Sequence, residues 1–244
     1  IEVSVTVDWH EQQKMLKLRF PININQMRAN YEIPYGHIER MTNGEEEPGQ
    51  SWIDLSGISR DTGYRYGLSI LNDGKYSFDV DIRDIGMTVL RSPIYAHHMP
   101  IEPDPEKLYT YMDQGVQKFR YTLLPHEGSW DEAGTVRHAA ELNQRPVVLV
   151  TTTHPGPLLA SESFACVDQE NLVLSVVKLA EDNDDLILRC YETAGISTPG
   201  SIQLPTLKRI IKAEFGPCEI KTFRVPRDSA LPVVETNLLE WIDE

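Results

Sequence analysis

Tyr64-Arg-Tyr-Gly-Leu-Ser-Ile-Leu-Asn-Asp-Gly-Lys-Tyr76 is the stretch on which the fold turns. Residues 66–71 read as a strand that runs into Asn72-Asp-Gly74, three residues that tolerate positive φ and favour a tight, hairpin-type turn. The same alternation recurs along the chain. In Val3-Ser-Val-Thr-Val7 the valines share one face, and Met15-Leu-Lys-Leu-Arg-Phe20 alternates after Leu16. Further strands are expected at 86–90, 117–124, 147–151, 172–178, 186–191, 210–215 and 219–225. Pro155-Gly-Pro157 and Thr198-Pro-Gly200 add punctuation to that of Asn72-Asp-Gly74. Many short strands so punctuated predict an all-β sandwich or barrel.

One helix interrupts the strands. Ser129 and Glu132 have capping-box spacing, and Ala133, Val136 and Ala140 can line one face, so a helix is expected over 130–143, before Pro146. Asn43-Gly-Glu-Glu-Glu-Pro-Gly49 lacks periodicity and reads as a mobile acidic surface loop. Prolines interrupt the pattern in His154-Pro-Gly-Pro-Leu-Leu159, which sets the expected domains at 1–157 and 158–244.

The bulk numbers narrow function. A length of 244 residues allows a substantial core in one or two domains. With 37 acidic against 23 basic side chains the net charge is −14, which argues against nucleic acid and anionic membranes as partners. No apolar run approaches the roughly 18 residues that span a bilayer. Cys166, Cys190 and Cys218 show no CxxC or Cys/His spacing, so buried free thiols and a reducing compartment are expected. The chain opens on Ile1 inside a strand-like run, which reads as a piece of something longer.

Chemistry-bearing constellations are sparse. His97-His98 would point to opposite faces of a strand, and His10, His37, His126, His138 and His154 are dispersed, so no metal ligands are assigned. GxSxG, GxGxxG and GxxxxGK[ST] are absent. Asp54, Asp73, Asp79, Asp81 and Asp84 are read as solvated loop carboxylates rather than a glycosidase acid pair. In Leu90-Arg-Ser-Pro-Ile-Tyr95 a strand ends in a guanidinium that can fork onto vicinal oxygens and an aromatic that can stack on a sugar face.

An ordered series of segments carries a resemblance. It runs through Val7-Asp-Trp-His-Glu11, Leu16-Lys-Leu-Arg-Phe-Pro21, Ala29-Asn-Tyr-Glu-Ile-Pro-Tyr-Gly36 with Glu39-Arg40, Tyr66-Gly-Leu-Ser-Ile-Leu-Asn-Asp73 and Leu90-Arg-Ser-Pro93. Phe119-Arg-Tyr-Thr-Leu-Leu-Pro-His126 with Gly128-Ser-Trp130, Glu170-Asn-Leu-Val-Leu-Ser-Val-Val-Lys178, Leu188-Arg-Cys-Tyr-Glu192 and Glu219-Ile-Lys-Thr-Phe223 complete it. Together they resemble the C-terminal β region of glycoside hydrolase family 38 α-mannosidases, especially bacterial and cytosolic-type members.

The resemblance implies part of a galactose-mutarotase-like supersandwich followed by a small β-sandwich. It also implies retaining α-mannoside hydrolysis by an intact enzyme in the cytoplasm. The zinc ion, the Asp nucleophile and the acid/base carboxyl would then lie in an N-terminal catalytic domain outside this chain. No catalytic or metal residue is carried over to this sequence. The positions expected to face the substrate cleft are Arg91, Ser92 and Tyr95 on one turn, with Asn72 and Asp73 on the other. The expected partners are the chain's own catalytic domain and mannosides or oligosaccharides. An apolar face left by the missing part could support homo-oligomers. A free-standing carbohydrate-binding module is the competing reading, with Trp9, Trp52, Trp130 and Trp241 as its sugar platform; a mutarotase-like epimerase is a third.

Overall fold

The computed structural model describes residues 1–157 and 159–241. The chain falls into two compact units, one of Ile1–Ile33 with Ile38–Arg145, the other of Pro34–His37 with Pro146–Glu244. The boundary expected after Pro157 adjoins Leu158, which lies outside the described residues.

The first unit is built from β1 (Glu2–Trp9), β2 (Met15–Pro21), β3 (Ile24–Ile33), most of β4 (Gly36–Arg40), β5 (Glu47–Pro48), β6 (Trp52–Ser59), β7 (Arg65–Asn72), β8 (Ser77–Asp81), β9 (Asp84–Arg91) and β10 (Gly115–Glu127), with α1 (Thr135–Asn143). A six-stranded sheet runs β1-β10-β7-β6-β3-β4, and a four-stranded sheet runs β2-β9-β8-β5. The core lies between them. Ile53 and Leu55 of β6, Ile70 of β7, Phe78 of β8 and Ile85 and Met87 of β9 are fully enclosed there. Each such side chain contributes about 1.5–3 kcal/mol on burial.

The period-two pattern sends the intervening residues of β6 and β7 to the other face of the large sheet, where α1 packs. Trp52 and Leu71 meet Trp130 and Ala139 there, and the two indoles stack at 5.0 Å. Polar side chains on this face are buried too. Asp54 and Ser69 are directly opposite in the β6–β7 ladder, and Ser69 Oγ donates to Asp54 Oδ2 at 2.8 Å. His126 of β10 lies opposite Gly67 of β7, and its Nε2 meets Asp54 Oδ2 at 2.7 Å. Gly67 is required by this packing: a Cβ would stand 2.7 Å from the His126 ring and from Ser56 Cβ. Thr135, the first helical residue, closes the cluster with its hydroxyl 2.8 Å from Ser69 Oγ.

Gly134, in the left-handed region at φ 65°, sets the helix start. Ser129 N and Oγ do reach Glu132 Oε2, at 2.8 and 3.0 Å, but they close a turn over 129–134. The helix is therefore shorter than the expected 130–143, because the chain reverses at Gly134 before it becomes helical.

The second unit contains β11 (Cys166–Val167), β12 (Leu172–Leu179), β13 (Leu186–Glu192), β14 (Thr198–Leu204), β15 (Arg209–Phe215), β16 (Ile220–Val225) and β17 (Val234–Thr236). Sheets β11-β14-β15 and β12-β13-β16-β17 enclose Leu188, Cys190, Leu204, Phe215 and Val225, which makes a small sandwich. Burial pushes the Cys190 thiol up to about 12, so it stays protonated as an apolar filler. Glu192 is fully buried and ties the loop after β13 together. Its carboxylate accepts backbone N–H groups of Ala194, Gly195, Ile196 and Cys218 at 2.6–3.2 Å and Asn171 Nδ2 at 2.8 Å.

Several expectations need correction. Residues 147–151 form no strand, and Val147–Val150 are each 78–96% exposed with no neighbouring strand to pair with. Thr198-Pro-Gly200 opens β14 instead of separating strands. Gly200 lies so close to Leu172 that a Cβ would come within 2.4 Å of its side chain. Asn72-Asp-Gly74 does not make a hairpin: β7 pairs with β6 and β10, so the turn carries the chain from one sheet to the other. The acidic 43–49 loop contributes β5 and the half-buried Glu46.

Two stability measurements follow from these clusters. Glu192→Ala strands four backbone donors and should cost on the order of 3 kcal/mol, read as a lower urea midpoint at unchanged slope; an unshifted midpoint would refute the role. His126 is the second case. Burial opposes its charged ring, but the hydrogen bond and charge of Asp54 prevail and lift its pKa above the ordinary 6.5. A group raised on folding contributes in full below its unfolded value and loses that contribution as pH rises through the folded value. The stability gap between wild type and His126→Asn should therefore narrow as pH rises from about 6.5 through the folded value. A gap that is constant across that range would show that ring ionisation plays no part.

Candidate functional site

The candidate site grows from a break in strand alternation. In β9, Ile85, Met87 and Val89 face the core, and strict alternation would send Arg91 inward as well. The register against β2 slips at this point: Leu16 is opposite Leu90 while Lys17 is opposite Thr88. The extra residue is a β-bulge. Val89 and Leu90 are consequently both buried, and Arg91 emerges on the outer face.

Arg91 stands between two hollows. One, of about 650 Å³, is lined by Met15, Arg91, Pro93, Ile94, His97 and Met99 among others. The second, of about 310 Å³, is lined by Glu46, Gly74, Lys75, Tyr76, Arg91 and Asp113 among others. The loop that follows Asn72 and Asp73 thus meets the Arg91 turn at one hollow. The guanidinium of Arg91 has no hydrogen-bond or ion-pair partner among the described residues. Tyr95, 67% exposed, follows on the same turn.

The other positions expected to face a ligand are occupied by internal bonds. Ser92 is fully buried; its hydroxyl accepts from Lys14 N and donates to Lys14 O, both at 3.2 Å. Asn72 Oδ1 accepts from Gly74 N and Lys75 N at 3.0 and 2.6 Å, and its Nδ2 donates to Gln50 O. Asp73 receives Arg120 N and Nε at 2.8 and 3.1 Å. These three side chains shape the two turns.

Of the carboxylates expected to be solvated, Asp81 is exposed, whereas Asp54 and Asp79 are buried. On the outer face of the small sheet, Asp79 is buried between Lys17 and Arg19, and Arg19 continues to Asp84. Lys17 also binds Glu46, which further accepts from Ser77 and Thr88. Burial disfavours the charged form of Glu46, but those three donors outweigh it and hold its carboxyl below the usual range. Glu32 is the opposite case, raised by burial despite donation from Ser51. It lines neither hollow; the acids that do are Glu46 and Asp113 in one and Glu102 in the other.

Ser69, His126 and Asp54 do converge, but not as a nucleophile and its base. Asp54 Oδ2 bonds both partners, and Nε2, the nitrogen nearest the serine, is occupied by the carboxylate. No three His, Cys, Asp or Glu side chains among the described residues could hold a metal ion. Trp52 and Trp130 are buried against each other and offer no sugar platform. The contribution of Asp113, whose carboxylate accepts the Arg91 N–H at 3.0 Å, was not legible in the sequence. The available signal was Asp113-Gln-Gly115, a turn-forming trio just ahead of a long strand.

Comparison with known proteins sets this geometry in a family. Residues 1–106 match the family described as "Glycosyl hydrolases family 38 C-terminal domain", and residues 171–214 match "Glycosyl hydrolases family 38 C-terminal beta sandwich domain". Alpha-mannosidase G of Dictyostelium discoideum is 31% identical over 261 aligned positions, covering 92% of this chain and 22% of that protein. Human Alpha-mannosidase 2C1 is 33% identical over 206, covering 80% and 18%. The chain therefore spans about a fifth of the length of these relatives. A solved α-mannosidase from Enterococcus faecalis V583 shares the fold at a TM-score of 0.75 and 16% identity, over 92% of this chain and 27% of the other. With each half matching a successive C-terminal domain of one family, in chain order, this chain belongs to glycoside hydrolase family 38 and is its C-terminal β region.

Proposed function

We propose that this chain is the accessory β region of a retaining α-mannosidase and supplies one rim of the cleft in which an α-mannoside is held. The observation that carries this is the convergence of two turns on one hollow, with the unpartnered Arg91 guanidinium raised between them by the β9 bulge. A guanidinium there can donate two hydrogen bonds to vicinal sugar hydroxyls. Tyr95 offers an exposed aromatic face nearby. Asn72, Asp73 and Ser92 hold the turns on which recognition depends.

Bond cleavage is assigned elsewhere in the full-length protein. An acid/base pair needs carboxyls about 5–10 Å apart with separated pKa values, whereas Glu46 at the rim is tied to Lys17, Ser77 and Thr88 and Asp113 to the Arg91 amide. On this reading the partner of the region is its own N-terminal catalytic domain, and the zinc ion and nucleophile of the family are held by that domain's residues. Among the described residues no three His, Cys, Asp or Glu side chains come together to hold a metal ion. Among the described residues no helix is long and apolar enough to cross a membrane. The cytoplasm is the compartment proposed, on the strength of the likeness to cytosolic-type family members.

Arg91→Ala in the full-length protein should lower kcat/KM on an aryl α-mannoside by about tenfold or more, the order expected for a lost charge-assisted contact. Arg91→Lys should recover only part of it, since an ammonium cannot fork. Unchanged kinetics for Arg91→Ala would remove this residue from the cleft.

A further inference from the structure

The backbone that carries Arg91 is clasped on both flanks. On one side Gln13 N donates to Ser92 O at 2.7 Å and Ser92 N to Lys14 O at 2.9 Å. On the other side the chain returns along residues 110–113. Tyr95 N donates to Thr110 O at 2.8 Å and Met112 N to Pro93 O at 3.0 Å. This second clasp reaches Arg91 through one side chain, because Asp113 Oδ2 accepts the Arg91 N–H at 3.0 Å.

The bond has a cost that marks it as specific. Asp113 has φ 54°, a left-handed conformation uncommon for any residue but glycine, and Gly115 two residues on has φ 84°. Asp and Asn are the side chains that best tolerate it. Gln114 braces the same turn, its Nε2 donating to Glu11 O and Met112 O, both at 2.9 Å. The reversal brings a carboxylate onto the last amide of β9. The carboxylate binds that amide and forms no ion pair with the guanidinium. Arg91 is thereby fixed at its root and left free at its tip.

We propose that Asp113 is the positioning residue for Arg91: it fixes the backbone on which the sugar-facing guanidinium stands. This rests on the reading that Arg91 faces the substrate. Three variants of the full-length protein test it. Asp113→Gly removes the acceptor and suits the left-handed backbone, so the effect is not confounded by strain. Asp113→Asn keeps an acceptor oxygen in place. The third is Asp113→Gly combined with Arg91→Ala.

Asp113→Gly should lower kcat/KM on an aryl α-mannoside about fivefold to tenfold and speed hydrogen exchange at the Arg91 amide. Asp113→Asn should remain within about threefold of wild type and keep that amide protected. In the Arg91→Ala background, Asp113→Gly should add less than a twofold loss, since the group it positions is gone. A silent Asp113→Gly beside a damaging Arg91→Ala overturns the proposal alone. So does an undiminished loss in the double variant, which would signal a general structural role. A silent Arg91→Ala overturns the cleft reading, and with it the kinetic role of Asp113.

Discussion

The six-stranded sheet is covered on both faces, and the charge buried on its second face governs much of the first unit. Asp54 lies on a strand whose neighbours shield it completely, so its carboxylate needs hydrogen-bond partners inside the protein. Two side chains bond its Oδ2, Ser69 from the adjacent strand and His126 from the strand beyond it, and Thr135 from the start of the helix bonds Ser69 in turn. The helix is therefore placed by a polar contact as well as by Trp52 and Trp130. Gly67 belongs to the same solution, because only a residue without a Cβ leaves room for the imidazole.

The smaller sheet is organised by parity. Its inner face is apolar and its outer face carries a run of alternating charge, Glu46, Lys17, Asp79, Arg19 and Asp84. Gly86 is small for the sake of this network, since a Cβ there would stand 2.1 Å from Asp79 Oδ1. One inserted residue in β9 then reverses the alternation and transfers Arg91 from the inner set to the outer. Without the bulge a guanidinium would enter the core at a cost no neighbour could offset.

These two arrangements explain which parts of the structure could be read in advance. Strands with clean alternation, such as β1, β2 and β12, were legible because one face is apolar and the other polar. β6 was missed, since Trp-Ile-Asp-Leu-Ser-Gly-Ile-Ser places an aspartate, serines and a glycine at positions that prove to be buried. Their partners lie 15 and 72 residues away, beyond the reach of local pattern. The 147–151 run erred the other way: its valines favour a strand, but β structure needs a partner, and none lies beside them. At the candidate site, Arg91 and the 72–74 turn were legible as chemistry on turn residues. Their convergence was not, and neither was Asp113, whose bond is to a backbone amide and leaves no trace in residue type.

The electrostatic state of the rim limits the work it can do. Glu46 is occupied by Lys17, Ser77 and Thr88, Asp79 by Lys17 and Arg19, and Asp113 by the Arg91 amide. These three acids are thus bonded within the protein, while the Arg91 guanidinium has no acceptor among the described residues. A guanidinium is always charged and neither takes nor gives a proton in the range where enzymes work. Such a group can orient oxygens and favour one arrangement of hydroxyls over another, but it cannot serve as acid, base or nucleophile. The proposed division between recognition on this region and bond cleavage on another would then follow from which groups are left unpaired. On the proposed reading such a rim would act only through geometry, and so would depend on the rigidity of the backbone beneath Arg91.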